Sequence, residues 1–589
     1  MIPRTLLSAL LFAVLSVSST ATLAGNTPHQ TLTKLFAQDW ERMLNDYPEA
    51  ATSEGDPRFN DRWTDLSITA INARAVQTKA TLNRLHHIAR ASLSVADQLD
   101  YDTFEWNLTH ALQRHAFGEY LQPVTHKTGP QFANDIAETT PFETVQDYRH
   151  YLSRMNALPL QISQTEALMK EGVKQGKTPP RILLERVPAQ IEKQLVSDEA
   201  NSPFYEPFTK IPDSISASDK AQLQAEAKTI IREKLLPAYR QFLNYFQTGY
   251  LPVSRTSIAA TAIPDGKAYY DFLISDQTTT QLTAEEIHTI GLQEVARLHA
   301  SMEKLREEIG FQGDLQALFT YMRTDPKFFY KTPDELLNAY RALAKRIDPE
   351  LVKVFKTLPR LTYGVRPIPD NIAPDTTTAY YMPGASNGTR PGYYYVNLYK
   401  PESRPSWEMV PLTLHESVPG HHFQFARDLE LPDAPMFRKT AYFIAYSEGW
   451  ALYAEQLGYE MGMYDNPYDR FGQLTYEMWR AVRLVVDTGM HAKGWSRDQA
   501  IAFFKQNTAK TDLDIVNEID RYIGDPGQAL AYKIGQLKIS ALRKQAQQEL
   551  GSQFDLREYN DEVLAVGSVP LTVLENHIHS WIARKKKSA

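Results

Sequence analysis

The sequence predicts a mainly α protein of two helical lobes with one small β-sheet. Three observations lead there. Apolar residues recur with a helical period through most of the long segments. Helix starts are marked repeatedly by a hydroxyl residue with an acid or amide three positions later. Strand-like runs rich in aromatic and β-branched residues are confined to Leu361–Val365 and Gly392–Leu398.

At the N-terminus, Arg4 precedes a largely apolar run from Leu6 to Leu15, and small residues follow, ending Ala21-Thr22-Leu23-Ala24 before Gly25. That order is the one a secretory signal peptide has, and it assigns residues 1–24 to a cleaved leader with the mature chain starting near Gly25. The apolar run is too short to span a bilayer comfortably.

From Thr31 to Asn45, residues Leu32, Leu35, Phe36, Trp40, Met43 and Leu44 form one stripe, which predicts an amphipathic helix. Ser94 with Asp97, Thr283 with Glu286 and Ser496 with Gln499 read as helix N-caps, and Thr332 with Pro333 and Glu335 adds a first-turn proline. Helical periodicity also covers roughly Lys220–Gln247, Leu336–Arg346, Trp407–Phe425, Tyr442–Tyr459 and Ala529–Gln548. The proline-bearing stretches Thr178–Pro188 and Ser202–Ser216 read as long connections. A break near Leu251–Ile263 divides an N-terminal helical lobe, 25–255, from a catalytic helical lobe, 256–589. The best strand is Gly392–Leu398, after the turn-rich Pro383–Gly392 region.

Composition narrows the function. The chain has 589 residues, 43% hydrophobic and 23% charged, which is ordinary for a soluble globular protein. Its formal net charge is −7, and its one basic tract is the terminal Lys585-Lys586-Lys587, so nucleic acid is not an expected partner. No stretch after the leader is apolar enough to span a membrane, so no stable membrane insertion is expected. The absence of cysteine excludes disulfides, a Cys-type zinc site and a lipid-modified cysteine after the leader. The reading is an exported protein, periplasmic or secreted, soluble once the leader is removed. Any metal must be held by histidine and carboxylate. Oligomeric state is not legible.

The chemistry is concentrated in Leu412-Thr-Leu-His415-Glu416-Ser-Val-Pro-Gly-His421-His422-Phe-Gln424 and Tyr446-Ser-Glu448-Gly-Trp-Ala-Leu-Tyr-Ala-Glu455. Helical zinc hydrolases commonly use H-E-x-x-H, two histidines on one helix face with a glutamate between them that activates water. Here position 419 is proline, and the next histidines lie six and seven residues after His415. On a regular helix six residues is ~600° of rotation and ~9 Å of rise, which aims His421 away from His415. His422 faces the right way but lies ~10.5 Å along the axis, beyond one zinc's reach. A shared metal therefore requires the helix to break, and Pro419-Gly420 supplies the means. His421 is the expected second ligand and His422 the alternative. Glu448, on the following helix, is the expected third ligand. Glu455 shares its face and reads as a hydrogen-bond acceptor from a ligand histidine, or else as a solvated helix residue. Glu416 is the expected general base.

HESVPGHHFQ and SEGWALYAE resemble the bacterial family catalogued as domain of unknown function 885, as do LTAEEIHTIGLQEVARL, RLVVDTGMHAKGW and RYIGDPGQALAYKIGQLK. The resemblance covers nearly all of the mature chain. That family is in turn similar to the helical zinc metallopeptidases of the thimet oligopeptidase and thermostable carboxypeptidase type, which use H-E-x-G-H and a glutamate on a following helix. Matching Gly-His to Gly-His puts His421 in the second-ligand role, with two extra residues before it. The resemblance further implies a two-lobed metallopeptidase-like fold with the sheet beside the zinc helix. It also implies an oxyanion donor near Gly527–Tyr532, either Tyr532 or His491, unless Tyr532 is simply packed. The strand at Gly392–Leu398 then either pairs with an extended substrate or is a buried structural strand.

Together these readings make the chain a zinc-dependent hydrolase, a metallopeptidase cleaving short peptides, with a peptide or small amide as its partner. A zinc amidase or esterase acting on a non-peptide small molecule uses the same chemistry, and a non-catalytic periplasmic binding protein is the non-enzymatic alternative. A carboxylate-bridged di-iron centre wants two E-x-x-H pairs from separate helices, and the sequence offers no convincing set. Arg480, Arg483, Arg521 and Lys533 lie near the motifs and are candidates for recognising a terminal carboxylate, or else solvated charges.

Overall fold

The computed structural model describes residues 27–370, 373–375, 377–384 and 390–587. The leader assigned to residues 1–24 lies outside them. The described chain is mostly helical, with one three-stranded sheet. The first amphipathic helix runs Pro28–Asp46 and buries Leu32, Leu35, Phe36 and Leu44. The four N-cap signals all form caps. Ser94 accepts from the Asp97 amide, and Thr283, Thr332 and Ser496 each close a full capping box. The segment read as helical from Lys220 to Gln247 is two helices, Ala217–Ile230 and Leu236–Tyr245, joined through a π-turn at Ile231–Leu235. The stretches read as connections carry short helical turns of their own, Arg181–Leu184, Val187–Glu192 and Pro203–Thr209.

The apolar side chains collect into four cores. Leu32 to Leu108 build one, and Val124 to Tyr250 a second. The other two belong almost entirely to residues from Ala260 onward. One lies around helices Ala284–Ile309 and Pro467–Ala492. The other lies around the sheet and helices Met409–Glu416, Ile444–Met461 and Leu530–Leu550.

The sheet comprises β1 (Tyr363–Pro367), β2 (Ala379–Met382) and β3 (Gly392–Val396), in the order β1-β3-β2. β3 runs parallel to β1 and antiparallel to β2. It is therefore the central strand, with both edges already paired, and it buries Gly392, Tyr394 and Val396. This corrects the expectation that Gly392–Leu398 offers a free edge. The sheet's two edges are β1 and β2, and periodicity did not reveal β2. The Asn397 amide donates to the Thr378 carbonyl across the β3–β2 pair at 3.0 Å. Antiparallel alternation then turns the main-chain groups of Thr378 and Tyr380 toward β3 and those of Ala379 and Tyr381 outward.

Helices Ile444–Met461 and Leu530–Leu550 cross at their backbones. A Cβ on Gly449 would lie 2.5 Å from the Gly535 Cα, and one on Gly535 would lie 1.8 Å from the Ala445 carbonyl oxygen. The crossing brings Glu448 and Tyr532, each next to or near one of these glycines, toward a common space. A buried Lys533 secures the second helix, bonded to Glu477 at 2.7 Å and Glu294 at 2.9 Å. Because neither backbone can yield to a methyl group at this distance, Gly535→Ala should destabilise the protein by about 2–4 kcal/mol. Chemical denaturation measures this, and an unchanged midpoint would mean that the helices do not touch there.

Candidate metal centre

The break anticipated between His415 and His421 is present and abrupt. Helix Met409–Glu416 ends at Ser417, and a new helix starts at His421 and runs to Leu429. Four buried residues make the turn. The Ser417 hydroxyl donates to the Thr413 carbonyl at 2.6 Å, and the Trp450 indole donates to the Pro419 carbonyl at 2.8 Å. These bonds satisfy backbone groups that the broken helix would leave unpaired. Gly420 folds directly onto the preceding turn, where a Cβ would lie 1.9 Å from the His415 carbonyl oxygen, so only glycine fits.

This turn brings the His415 and His421 rings to a centroid separation of 4.8 Å, nearly perpendicular at 87°. Glu448 enters from helix Ile444–Met461, whose flanks are apolar almost all round, as a fully buried helix requires. Its Oε2 lies 3.5 Å from Nε2 of each histidine. His415, His421 and Glu448 each offer one ligand atom, all within 4.8 Å of one another, and they are the one such group of three among the described residues. Glu448 Oε2 is buried without a hydrogen bond. Its other oxygen accepts from the Tyr442 hydroxyl at 3.1 Å.

The charges argue in the same direction. Burial alone would lower the His415 imidazole, but the Glu448 carboxylate beside it, the hydrogen bond to Glu455 and the nearby carboxylate charges raise it to about 9. Burial would raise the Glu448 carboxyl, but the two histidines hold it well below the usual range. A surplus of negative charge is thus enclosed, and it requires a proton or a cation at the point where the three ligand atoms converge. Two imidazole nitrogens and one carboxylate, with an uncompensated buried oxygen among them, fit a divalent transition-metal ion.

Glu455 is fully buried, and its Oε1 takes the His415 Nδ1 at 2.8 Å. That bond fixes the ring so that Nε2 faces Glu448, as a carboxylate behind a ligand histidine does. His422 turns the other way. Its Nδ1 meets the Tyr381 hydroxyl at 2.9 Å and its Nε2 donates to the Leu361 carbonyl at 3.1 Å, so it bolts its helix to the sheet. His491 is not brought to the site. Its ring accepts from the Ala260 amide and donates to the Tyr522 carbonyl, and burial lowers it to about 4. The resemblance offered it as an oxyanion donor, but tertiary packing turned it into the core.

A cavity of about 580 Å³ opens in front of the triad. Glu416 lines it, as does Tyr532, whose hydroxyl burial and the Glu448 charge push up, leaving it a protonated donor. Tyr381, Phe425 and Tyr442 form a stacked aromatic wall, with centroids 5.8 and 6.0 Å apart. Ala379 and Tyr381 bring the outer edge of β2 to the same space. Tyr442 and β2 escaped the sequence reading because no spacing announces them. Arg480, Arg483 and Arg521 do line the cavity, whereas Lys533 does not.

The family model described as bacterial protein of unknown function (DUF885) matches residues 48–578, and the chain belongs to that family. Two solved structures share its fold over nearly its whole length. One is described as that of "the putative lipoprotein from Colwellia psychrerythraea". It is 28% identical with a TM-score of 0.90, and covers 95% of this chain and 100% of its own. The other, "a putative lipoprotein of unknown function from Shewanella oneidensis", is 17% identical with a TM-score of 0.73. It covers 94% and 99%, and the likeness is one of fold. No curated protein matches the sequence.

Zinc titration and elemental analysis should give about one ion per chain, lost in His415→Ala, His421→Ala and Glu448→Ala and kept in His422→Ala. Glu455→Gln should weaken binding about 10–100-fold. Loss of the ion with His422 but not with His421 would overturn the assignment. His491 gives a separate, acid-side prediction. Its folded value of about 4 lies below the ordinary 6.5, so unfolding takes up a proton in that window. Stability is full above pH 6.5 and should fall by roughly 2–3 kcal/mol as the pH drops toward 4. Urea denaturation of wild type and His491→Gln across that range should show a shallower slope for the variant. Equal slopes would remove His491 as the cause.

Proposed function

We propose that this member of the family is an exported zinc-dependent hydrolase, most simply a metallopeptidase that cleaves short peptides. One observation carries the reading: His415 Nε2, His421 Nε2 and Glu448 Oε2 converge within 4.8 Å, and Glu416 lines the cavity in front of them. That arrangement pairs a three-ligand site with an adjacent carboxylate base, the combination a metal-assisted hydrolase requires. The ligand types are those of H-E-x-x-H enzymes but the spacing is not, and the Ser417–Gly420 turn supports the reading by bringing His421 beside His415.

When bound, zinc supplies a Lewis acid that acidifies water and polarises the scissile carbonyl. Everything else falls to the protein. His415 and His421 present neutral Nε2 atoms, with the His415 proton held on Nδ1 by Glu455. Tyr442 donates to the Glu448 oxygen that faces away from the histidines, which leaves Oε2 free for the ligand position. Glu416 accepts a proton from the attacking water on its carboxylate and passes it to the leaving amine. Tyr532, kept protonated, donates to the oxyanion as the carbonyl carbon becomes tetrahedral. The outward amide and carbonyl groups of Ala379 and Tyr381 offer main-chain pairing to an extended substrate, a mode that needs only free backbone donors and acceptors. The aromatic wall of Tyr381, Phe425 and Tyr442 suits an apolar side chain beside the scissile bond.

Export is supported by the charged, apolar and small-residue order before Gly25. The described helices include none long and apolar enough to cross a membrane.

Glu416→Gln should keep the bound ion and lower hydrolysis about 10²–10⁴-fold. The assay is a panel of short peptides, small-molecule amides and esters, run beside a measurement of zinc content. Turnover confined to the non-peptide members moves the reading to an amidase or esterase. A metal-loaded Glu416→Gln protein with wild-type turnover removes Glu416 as the base, and no turnover on any member by loaded wild type leaves a binding protein.

A further inference from the structure

The cavity lining carries both signs of charge. Glu448 of the triad and Glu416 line it, and Arg480, Arg483, Arg521 and Lys127 line the same cavity, with Glu518 as the acid among them. Arg480 and Arg483 are three apart on helix Pro467–Ala492 and share a face. Arg521 comes from helix Asp512–Gly524, and Lys127 from the N-terminal half of the chain.

Glu518 answers only part of this charge. It accepts from Arg521 at 2.9 Å and Arg483 at 3.1 Å, and from the Tyr522 hydroxyl at 2.5 Å. Arg480 has no such partner: its closest carboxylate oxygen is Glu455 Oε1 at 3.9 Å, and that oxygen is engaged by His415 at 2.8 Å. Arg480 donates instead to the Tyr476 carbonyl at 3.2 Å. Its Nε, and Nη1 of Arg483, are buried without a hydrogen bond. Both side chains are less than a tenth exposed, at 6% and 4%. Lys533 makes the contrast, since it is fully enclosed between Glu477 and Glu294 and has no charge to offer a ligand.

Both guanidinium groups also lie over aromatic rings. Trp479 lies 4.9 Å from Arg480 and 4.7 Å from Arg483, and the Tyr532 ring lies 4.4 Å from Arg483. Stacked, planar guanidinium groups with spare N–H donors are prearranged for a planar acceptor of opposite charge. A buried cationic wall also concentrates anions in the cavity before any contact forms.

We infer that Arg480 and Arg483, backed by Arg521 and Lys127, form a carboxylate subsite that selects an acidic group on the ligand entering this cavity. Calling that ligand a substrate rests on the hydrolase reading; its carboxylate preference does not. The carboxylate can be a peptide C-terminus or an acidic side chain, and the two are separable.

The test is calorimetric titration of the full chain, stripped of metal with chelator, with two pairs of peptides. One pair is N-acetyl-trialanine as free acid and as C-terminal amide. The other is N-acetyl-Ala-Glu-Ala amide and N-acetyl-Ala-Gln-Ala amide. The acidic member of at least one pair should bind ten-fold or more tightly than its neutral twin. Preference within the first pair assigns the C-terminus, and within the second the side chain. Arg480→Gln should reduce that ratio to near one, with neutral-peptide affinity retained. Arg480→Lys should restore part of it. Circular dichroism of both variants checks the fold, and the wild-type ratio stands even if Arg480→Gln does not fold. Equal affinities within both pairs, or no binding by any of the four, overturn the subsite. A carboxylate preference in a protein that binds no zinc would leave the subsite standing and sink the hydrolase.

Discussion

Glu448 carries a carboxylate oxygen, Oε2, that is buried with no hydrogen bond, and the candidate metal centre is organised around the positive charge that oxygen demands. An ionised carboxylate removed from water is strongly unfavourable unless a counter-charge stands beside it. Two imidazole nitrogens 3.5 Å away do not meet that demand while they present lone pairs. They meet it by taking a proton or by sharing a cation. The same need explains the layers behind the triad. Glu455 sets the tautomer of His415, Tyr442 occupies the second oxygen of Glu448, and the Trp450 indole holds the turn that delivers His421.

Bringing those layers together takes two backbone contacts that tolerate no side chain. Gly420 lies on the His415 carbonyl, and Gly535 lies on the backbone of helix Ile444–Met461 beside Glu448. The first decides which histidine faces Glu448. The second decides how close Tyr532 comes to the triad, and it is reinforced by the enclosed Lys533–Glu477–Glu294 network. The cavity in front of the triad is then lined by β2, an aromatic stack and three arginines.

The N-terminal half contributes to that boundary. Lys127 reaches the cavity from it. Asp520, on the helix that also carries Arg521, is almost fully buried and forms ion pairs with Arg186 and with Arg497, the latter at 2.7 Å. Asp276 is bonded in the same manner by His110 at 2.9 Å and Arg114 at 2.5 Å. Arg438 donates to Asp100 at 2.5 Å. Of these pairs, Arg186–Asp520 ties a residue before position 251 to the helix that carries Glu518 and Arg521 at the cavity.

How much of this was legible in advance depends on the range of the interaction responsible. Helix starts at Ser94, Thr283, Thr332 and Ser496 are governed by a side chain and an amide three residues away, and the sequence by itself determined them. It also implied that the helix breaks between His415 and His421 if the two share a metal, because a regular helix keeps those positions apart. Glu448 and Glu455 followed from a shared helix face. The tertiary structure decided the rest. It turned His422 to the sheet, carried His491 into the core, and made β3 the centre of the sheet and β2 one of its edges. It also gathered Arg480, Arg483, Arg521 and Lys127 around one cavity. Each of these depends on contacts between residues tens to hundreds of positions apart, and no local periodicity or cap encodes which face of an element such a partner will meet.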